Sequence, residues 1–519
     1  MTSTPKQLLL PQPGGRDRVE AGQRAIVVGG GIAGVAAAVI LAERGVAVTL
    51  IEAERFLGGR AGAWTEHLAN GDAFEMERGF HAFFRQYYNL RALLRRIDPN
   101  LGLLQPLDDY PILGPAGLAQ SFAGLPRQTP HNIVALTLRT RALGFRDLLR
   151  VDRRQALEML RFDLDSTYKR WDRLSAAQYL DALRFPIAAR RLLFDVFSHS
   201  FFNPEADMSA AELLMMFHFY FTGNPEGLVF DVARRPFSRC IWEPFASFLE
   251  RLGVCLLLGE CVRAVSRQED AWHVVTDRGA HRGDGLVLAL TVTGLQQLVE
   301  RSPTLGDAAW RRSIAGMKCT NPFAVWRLWL DGPTRPDRAP FAGTTGVGVL
   351  DNISLYHLFE DESRDWAARH GGAVVELHAY GVDPAADAEF LRRDMLRALH
   401  RLYPETAALR ILEQRWLWRQ DCPAFGTGAY ATRPEVRTGT PGLCLAGDLV
   451  RLPFPSALME RAAASGFLAA NCLLSEWGVR PEPILSVPAR GMLARLPLRS
   501  PHTGSARHED RLQPSGTVS

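Results

Sequence analysis

Apolar residues gather in short runs along this chain, and most of the runs read as buried strands. Ala25–Val28 (AIVV) is unbroken, the pattern of a strand covered on both faces. Small residues from Gly29 to Ala38 follow and open a helix that ends near Arg44 and Gly45. Val46–Ile51 (VAVTLI) predicts a second strand, with Glu52 at its end. Further strands are predicted at Gly253–Leu258, Trp272–Thr276, Gly285–Leu290 and Gly442–Ala446, and helices over about 241–252 and 461–473. Asn321–Leu330 and Ala373–Tyr380 suit a second, mixed sheet. Between them lies an aromatic stretch, with Phe194, Phe197, Phe201, Phe202, Phe217, Phe219, Tyr220 and Phe221 crowded around Leu213–Met216. It reads either as helical packing or as the lining of a long apolar tunnel, for which Met and broad aromatic faces are suited.

The run from Ala25 to Ala42 holds no charge over 18 residues, about the minimum for a membrane span. Its glycines at 29, 30, 31 and 34 argue instead for strand, turn and helix. Composition agrees with a globular chain. Of 519 residues, 47% are hydrophobic and 22% charged, which excludes a disordered, fibrous or polytopic membrane protein. A net charge of +4 gives no case for a nucleic-acid partner. Seven scattered cysteines without a C-x-x-C predict free thiols in a reducing cytoplasm and no metal site. Residues 1–24 read as a disordered leader, and 500–519 as a disordered tail. Pro483–Arg499 is apolar and basic without an acid, which fits either a packed segment or a surface contact with the inner face of the cell membrane.

Chemistry enters at Gly29-Gly30-Gly31-Ile32-Ala33-Gly34, a match to G-x-G-x-x-G between strand and helix. Gly29 allows the tight turn, Gly31 lets the backbone approach a pyrophosphate, and Gly34 lets helix and strand pack closely. Helix N–H groups face the phosphates, and Glu52 can accept from a ribose diol. No second fingerprint of this kind occurs, so electrons taken up here leave to something such as a quinone or oxygen.

Leu57-Gly58-Gly59-Arg60-Ala61-Gly62 resembles the G-G-R-(A/S) signature of the FAD-dependent amine oxidase and phytoene desaturase superfamily. The resemblance implies FAD, with Gly59 and Arg60 along its pyrophosphate. Gly447-Asp448 and the helix opened by Ala457-Leu458-Met459 resemble the superfamily's C-terminal flavin motif. That motif implies Asp448 at the ribityl–phosphate region and Leu458 and Met459 at the flavin. The family usually continues Glu-Gly-Ala, whereas this chain has Glu460-Arg461-Ala462. Val262 aligns with a family position whose backbone meets the adenine. The implied fold is α/β: a Rossmann-like FAD-binding domain (25–105, 236–310, 421–475) interleaved with a mixed α+β substrate-binding domain (106–235, 311–420) and followed by a C-terminal segment, 476–519.

Glu77-Arg78-Gly79-Phe80-His81 resembles the D/E-x-G-x-H element of carotenoid desaturases. Extended through Arg85-Gln86, Tyr87-Tyr88-Asn89 and Arg95–Pro99, the block is most similar to carotene desaturase/methyltransferases of the isorenieratene synthase type. That resemblance implies a hydrophobic carotenoid substrate whose β-ionone rings become aromatic. A gem-dimethyl ring reaches that state by hydride loss, a 1,2-methyl shift and proton loss, with a second oxidation to finish. The expected proton acceptor is His81, with Glu77 as its orienting partner, and His199 and His218 are weaker candidates. Two other readings share the motifs: a desaturase or isomerase of linear carotenes, and a non-enzymatic isoprenoid carrier.

Overall fold

A computed structural model describes residues 8–9, 14–20, 22–127, 131–139, 151–184, 187–191, 201–491 and 493–494. Five parallel strands form one sheet, in the order Cys255–Leu258, Ala47–Glu52, Arg24–Val28, Gly285–Leu288, Leu443–Leu445. Apart from Arg24–Val28 and Ala47–Glu52, neighbouring strands come from distant parts of the chain, and their lateral pairing satisfies the backbone hydrogen bonds of each short apolar run. The helix Ile32–Glu43 is apolar all round, and residues 33–42 are buried. It lies against Leu458–Glu476, and a Cβ added at Gly466 would come within 2.3 Å of the Ala33 carbonyl oxygen. Glycine there lets two helix backbones approach. This second helix begins at Leu458, earlier than its apolar pattern predicts. Residue 458 adopts the left-handed conformation (φ 49°), which brings Met459 and Glu460 into the first turn.

The second large sheet has seven strands, in the order Ile411–Arg419, Phe323–Leu330, Ala373–Ala379, Asn352–Leu355, Phe341–Thr344, Ile112–Leu113, Ala119–Gln120. One face, with Ala324, Leu328, Ile353, Val375 and Leu377, packs under the amphipathic helix Ala388–Leu402. The opposite face of the strand Ala373–Ala379 carries Glu376 and His378, both buried.

One expectation about the ends changes. Part of the leader is ordered: Leu8–Leu9 pairs with Leu485–Ser486, and Val19 N donates to Arg44 O at 2.9 Å. Of the two readings of the C-terminal stretch, the described part fits the packed segment. Ile484 and Val487 are buried, Asn89 bonds the Leu485 backbone twice, and Arg490 pairs with Asp163. The tail beyond residue 494 lies outside the described residues, as do Phe194, Phe197 and His199. Of the aromatic stretch, Phe201, Phe219, Tyr220 and Phe221 are buried, with Phe217 stacked on Phe221 at 5.0 Å. No helix among the described residues is long and apolar enough to cross a membrane.

Candidate active site

Two glycine turns meet at the carboxyl end of the five-stranded sheet. Gly58 N donates to Gly30 O at 2.8 Å, and Gly31 bridges to Gly58. Gly29 has φ 104°, and a Cβ on it would strike the Ala289 carbonyl oxygen at 2.3 Å. Gly34 is tighter still, with a Cβ 1.8 Å from Gly29 O. Gly31 differs. Its φ is −73°, and an added Cβ would meet protein atoms no nearer than 3.9 Å. The protein's own packing does not require glycine there, whereas a ligand laid against the turn would.

The surrounding groups fit a dinucleotide. Both Ile32–Glu43 and Leu458–Glu476 start without a side-chain cap, so their first N–H groups are free for an anion. Glu52 Oε2 accepts from Gly30 N at 2.6 Å and Oε1 from Glu54 N at 2.8 Å; burial raises its pKa. Glu260 N donates to Glu52 O, which brings the stretch leading to Val262 beside Glu52. Arg60 pairs with Asp448. Burial opposes the guanidinium's charge, but Asp448 outweighs it and pushes the pKa up. Gly447 N donates to Ser465 Oγ at 2.8 Å, fixing the turn that presents Asp448. Ile32, Ala61, Phe83, Phe237 and Met459 line a small apolar cavity of about 10 Å³ between the two helix starts. Ala33, Gly59 and Leu458 flank these groups along the chain.

The structure places His81 against Phe237, one of the residues lining this cavity, without attaching Glu77 to it. The His81 ring meets Phe237 edge-on at 5.4 Å. Its Nδ1 lies 2.7 Å from Gly79 O, which can only accept, so Nδ1 carries the hydrogen and Nε2 has a free lone pair. Burial lowers its pKa to about 4. Glu77 Oε1 accepts from Phe237 N at 2.8 Å, and Oε2 faces the Tyr356 hydroxyl at 3.4 Å. Glu77 therefore does not orient His81, because its carboxyl group is committed to Phe237 N and the Tyr356 hydroxyl. Burial pushes its pKa to about 8, with Arg327 opposing and Glu360 adding to the shift. His218 is taken up by Pro488 O at 2.8 Å and Thr222 Oγ1 at 3.0 Å.

Residues that motif reading passed over complete the site. Glu376 accepts from Arg327 Nε at 2.8 Å and lies 2.7 Å from His378 Nε2. Burial resists its charge, but Arg327 and His378 hold its pKa at about 2. Gly79 has φ 113°, and a Cβ there would sit 2.7 Å from His378 Cε1, so the glycine of the E-x-G-x-H element is what admits this ring. The signal was present in sequence as Glu376, His378 and Tyr380, alternating with Leu377 and Ala379 on an apolar strand. Arg461 is answered too. It turns away from the helix start to Glu212 Oε1 (2.6 Å) and Ser456 O (2.9 Å), and Glu212 also takes Arg433 and Tyr168.

Residues 32–474 match the model of the flavin containing amine oxidoreductase family. The carotenoid phi-ring synthase of Streptomyces griseus is 49% identical over 94% of this chain and 95% of its own. The carotenoid phi-ring synthase of Chlorobaculum tepidum is 26% identical over 91% of each chain. Among solved structures, cyclohexylamine oxidase from Brevibacterium oxydans superposes with a TM-score of 0.64 at 16% identity, over 88% of this chain and 99% of that one. At that identity it speaks for the fold alone.

Proposed function

The chain belongs to the flavin containing amine oxidoreductase family and is an FAD-dependent oxidoreductase, and from that premise we propose that it converts β-ionone rings of a carotenoid such as β-carotene to aromatic rings. The observation that carries this reading is the near-full-length likeness to a protein named for phi-ring synthesis. Bound FAD supplies the hydride acceptor. The chain's own residues supply placement, charge balance and dryness. Gly29, Gly31 and Gly34 open the turn, Glu52 and Val262 meet the adenosine end, and Arg60 balances the diphosphate beside Asp448. The uncapped starts of Ile32–Glu43 and Leu458–Glu476 favour added negative charge between them.

An aromatic shell stands next to His81. Phe80 stacks on Phe341 at 4.3 Å and meets Phe230 and Phe359 edge-on, each at 6.0 Å. Such a shell suits a hydrocarbon ring and keeps water from a ring cation. His81 keeps a free lone pair at Nε2 and stays neutral around pH 7, so it is one acceptor for the ring proton. The methyl group migrates within the substrate, and no methyl donor is required. Electrons leave finally to a quinone or oxygen. We place the enzyme in the cytoplasm, collecting substrate at the inner face of the cell membrane. Val134 and Leu138, 53% and 78% exposed on helix His131–Arg139, offer more apolar surface for lipid contact than the buried Ile484 and Val487.

The test is co-expression in a host that accumulates β-carotene, with mass spectrometry of the pigments. Products that keep all forty carbons and lose four hydrogens per reacted ring are expected. Unchanged β-carotene in the presence of flavin-loaded protein would overturn the reading.

A further inference from the structure

The strand Ala373–Ala379 gathers polar side chains on the face turned away from the helix Ala388–Leu402. His378 Nδ1 lies 2.5 Å from Tyr380 Oη, and His378 Nε2 lies 2.7 Å from Glu376 Oε1. The Glu376 carboxylate accepts, so Nε2 carries the ring hydrogen and Nδ1 accepts from the Tyr380 hydroxyl. Phe80 N, 3.4 Å from Nε2, is too distant to compete. Asn352 Nδ2 donates to Tyr380 Oη at 3.0 Å, and Arg327 holds the other Glu376 oxygen. The series Arg327, Glu376, His378, Tyr380 thus runs from a buried charge to a hydroxyl.

The Tyr380 ring leads from this network toward the Arg60–Asp448 pair. Tyr380 packs with Cys422 and with Phe202, whose ring it meets at 4.7 Å. Cys422 in turn lies within the field of Arg60 and Asp448. The same sheet face keeps unsatisfied polar atoms. Asn352 Oδ1, Ser354 Oγ and Arg327 Nη2 are buried without a hydrogen-bond partner. A purely structural core gains little from such a set, since an apolar replacement of the same volume avoids the desolvation cost.

We propose that Tyr380, backed by His378 and Glu376, accepts the proton that the substrate ring sheds as it becomes aromatic. The proposal rests on the ring-aromatising reading above. In the step, a C–H bond of the ring cation breaks and its electron pair becomes the new ring double bond. The proton goes to Tyr380 Oη while the tyrosine's own hydrogen passes to His378 Nδ1. The resulting imidazolium lies against the Glu376 carboxylate. The step needs no oxidant of its own, because the electron pair lost earlier as hydride leaves to the quinone or oxygen. Tyr380 is the catalytic residue, and His378 and Glu376 are positioning residues. His81 lacks this backing, since its hydrogen bond goes to a backbone carbonyl.

The experiment uses the full-length protein in the β-carotene host, comparing wild type with Tyr380→Phe, His378→Gln and His81→Gln. Pigments are read by mass, and FAD content by the visible absorbance of the purified proteins. Tyr380→Phe and His378→Gln are expected to retain FAD, to make at least about tenfold less aryl product, and to accumulate rings that have lost two hydrogens instead of four. His81→Gln is expected to lose less aryl product than Tyr380→Phe and not to accumulate rings short of two hydrogens, since its ring has no charged relay behind it. Wild-type aryl yield from Tyr380→Phe overturns the proposal, as does loss of FAD together with yield, or the same product pattern from His81→Gln. A wild type that makes no aryl product overturns the functional reading and the proposal with it, whereas an active wild type beside an equally active Tyr380→Phe overturns the proposal alone.

Discussion

Glu212 and Glu376 are both fully buried carboxylates whose pKa arginines hold at about 2, yet their surroundings differ in one respect. Around Glu212 both carboxylate oxygens are engaged. Arg461 and Arg433 each take one oxygen, the Tyr168 hydroxyl shares one of them, and the rings of Phe425 and Tyr430 cover the guanidiniums. The cluster joins Leu458–Glu476 to the helix Ala210–Phe217, and Arg461 also donates to the Ser456 and Asp448 carbonyls. Around Glu376, Arg327 Nη2, Ser354 Oγ and Asn352 Oδ1 have no partner, and the network runs on to Tyr380 beside Cys422. Burial and ion pairing are common to both, so neither marks chemistry. On the proposal above, the larger set of unsatisfied atoms and the continuation to a tyrosine hydroxyl are what set the Glu376 network apart from a clamp.

The largest effect expected from breaking this contrast is on the clamp. Glu212→Ala would strand two buried guanidiniums and cost about 3–5 kcal/mol in chemical denaturation. A loss below about 1 kcal/mol would show that Glu212 does not hold the two helices together. Next come the glycines. Gly34→Ala should yield little folded protein, because its Cβ would lie 1.8 Å from Gly29 O. Gly31→Ala should fold with a melting temperature close to wild type and retain at least about tenfold less FAD, since the turn itself has room for the methyl group. Equal FAD content in Gly31→Ala would remove that glycine from the cofactor site.

A smaller effect sets Glu77 apart from these two acids through pH. Glu212 and Glu376 have lowered pKa values, so their stabilisation is present above about pH 4.5 and is lost as pH falls through about 2. Glu77 is raised by burial to about 8, so the folded state binds more protons than the unfolded one between 4.5 and 8. Its contribution is complete below pH 4.5 and is lost as pH rises through 8. Glu77→Gln should therefore flatten the fall in stability between pH 5 and 8.5 by about 1–2 kcal/mol, followed by thermal melts across that window. A wild-type slope in this variant would mean that Glu77 does not titrate there. The smallest effect is Tyr168→Phe, about 1 kcal/mol in stability with an unchanged pigment profile. A shifted profile in Tyr168→Phe would erase the distinction between the two clusters.

The cofactor end was legible in the sequence because its parts are local. Gly29 to Gly34 lie on one turn, Glu52 ends the next strand, and Arg60 and Asp448 each sit in their own short motif. The strands at 25–28, 285–288 and 443–445 were readable as apolar runs, although their order in the sheet was not. His81 and Glu77 were legible as a motif but not as a pair. Only the fold sends Glu77 to Phe237 N and His81 to Gly79 O. Arg461 looked like a departure from the family pattern. Its reason, Glu212, lies 249 positions away in sequence.

By itself, then, the sequence determined the cofactor-binding turns, the strands that carry them and the family of chemistry, because backbone conformation and close approach are set by neighbouring residues. The tertiary structure alone decided which buried acids are ionised and which network stays open. Those properties depend on desolvation and on charges brought together from remote strands, and no local pattern in the chain encodes them.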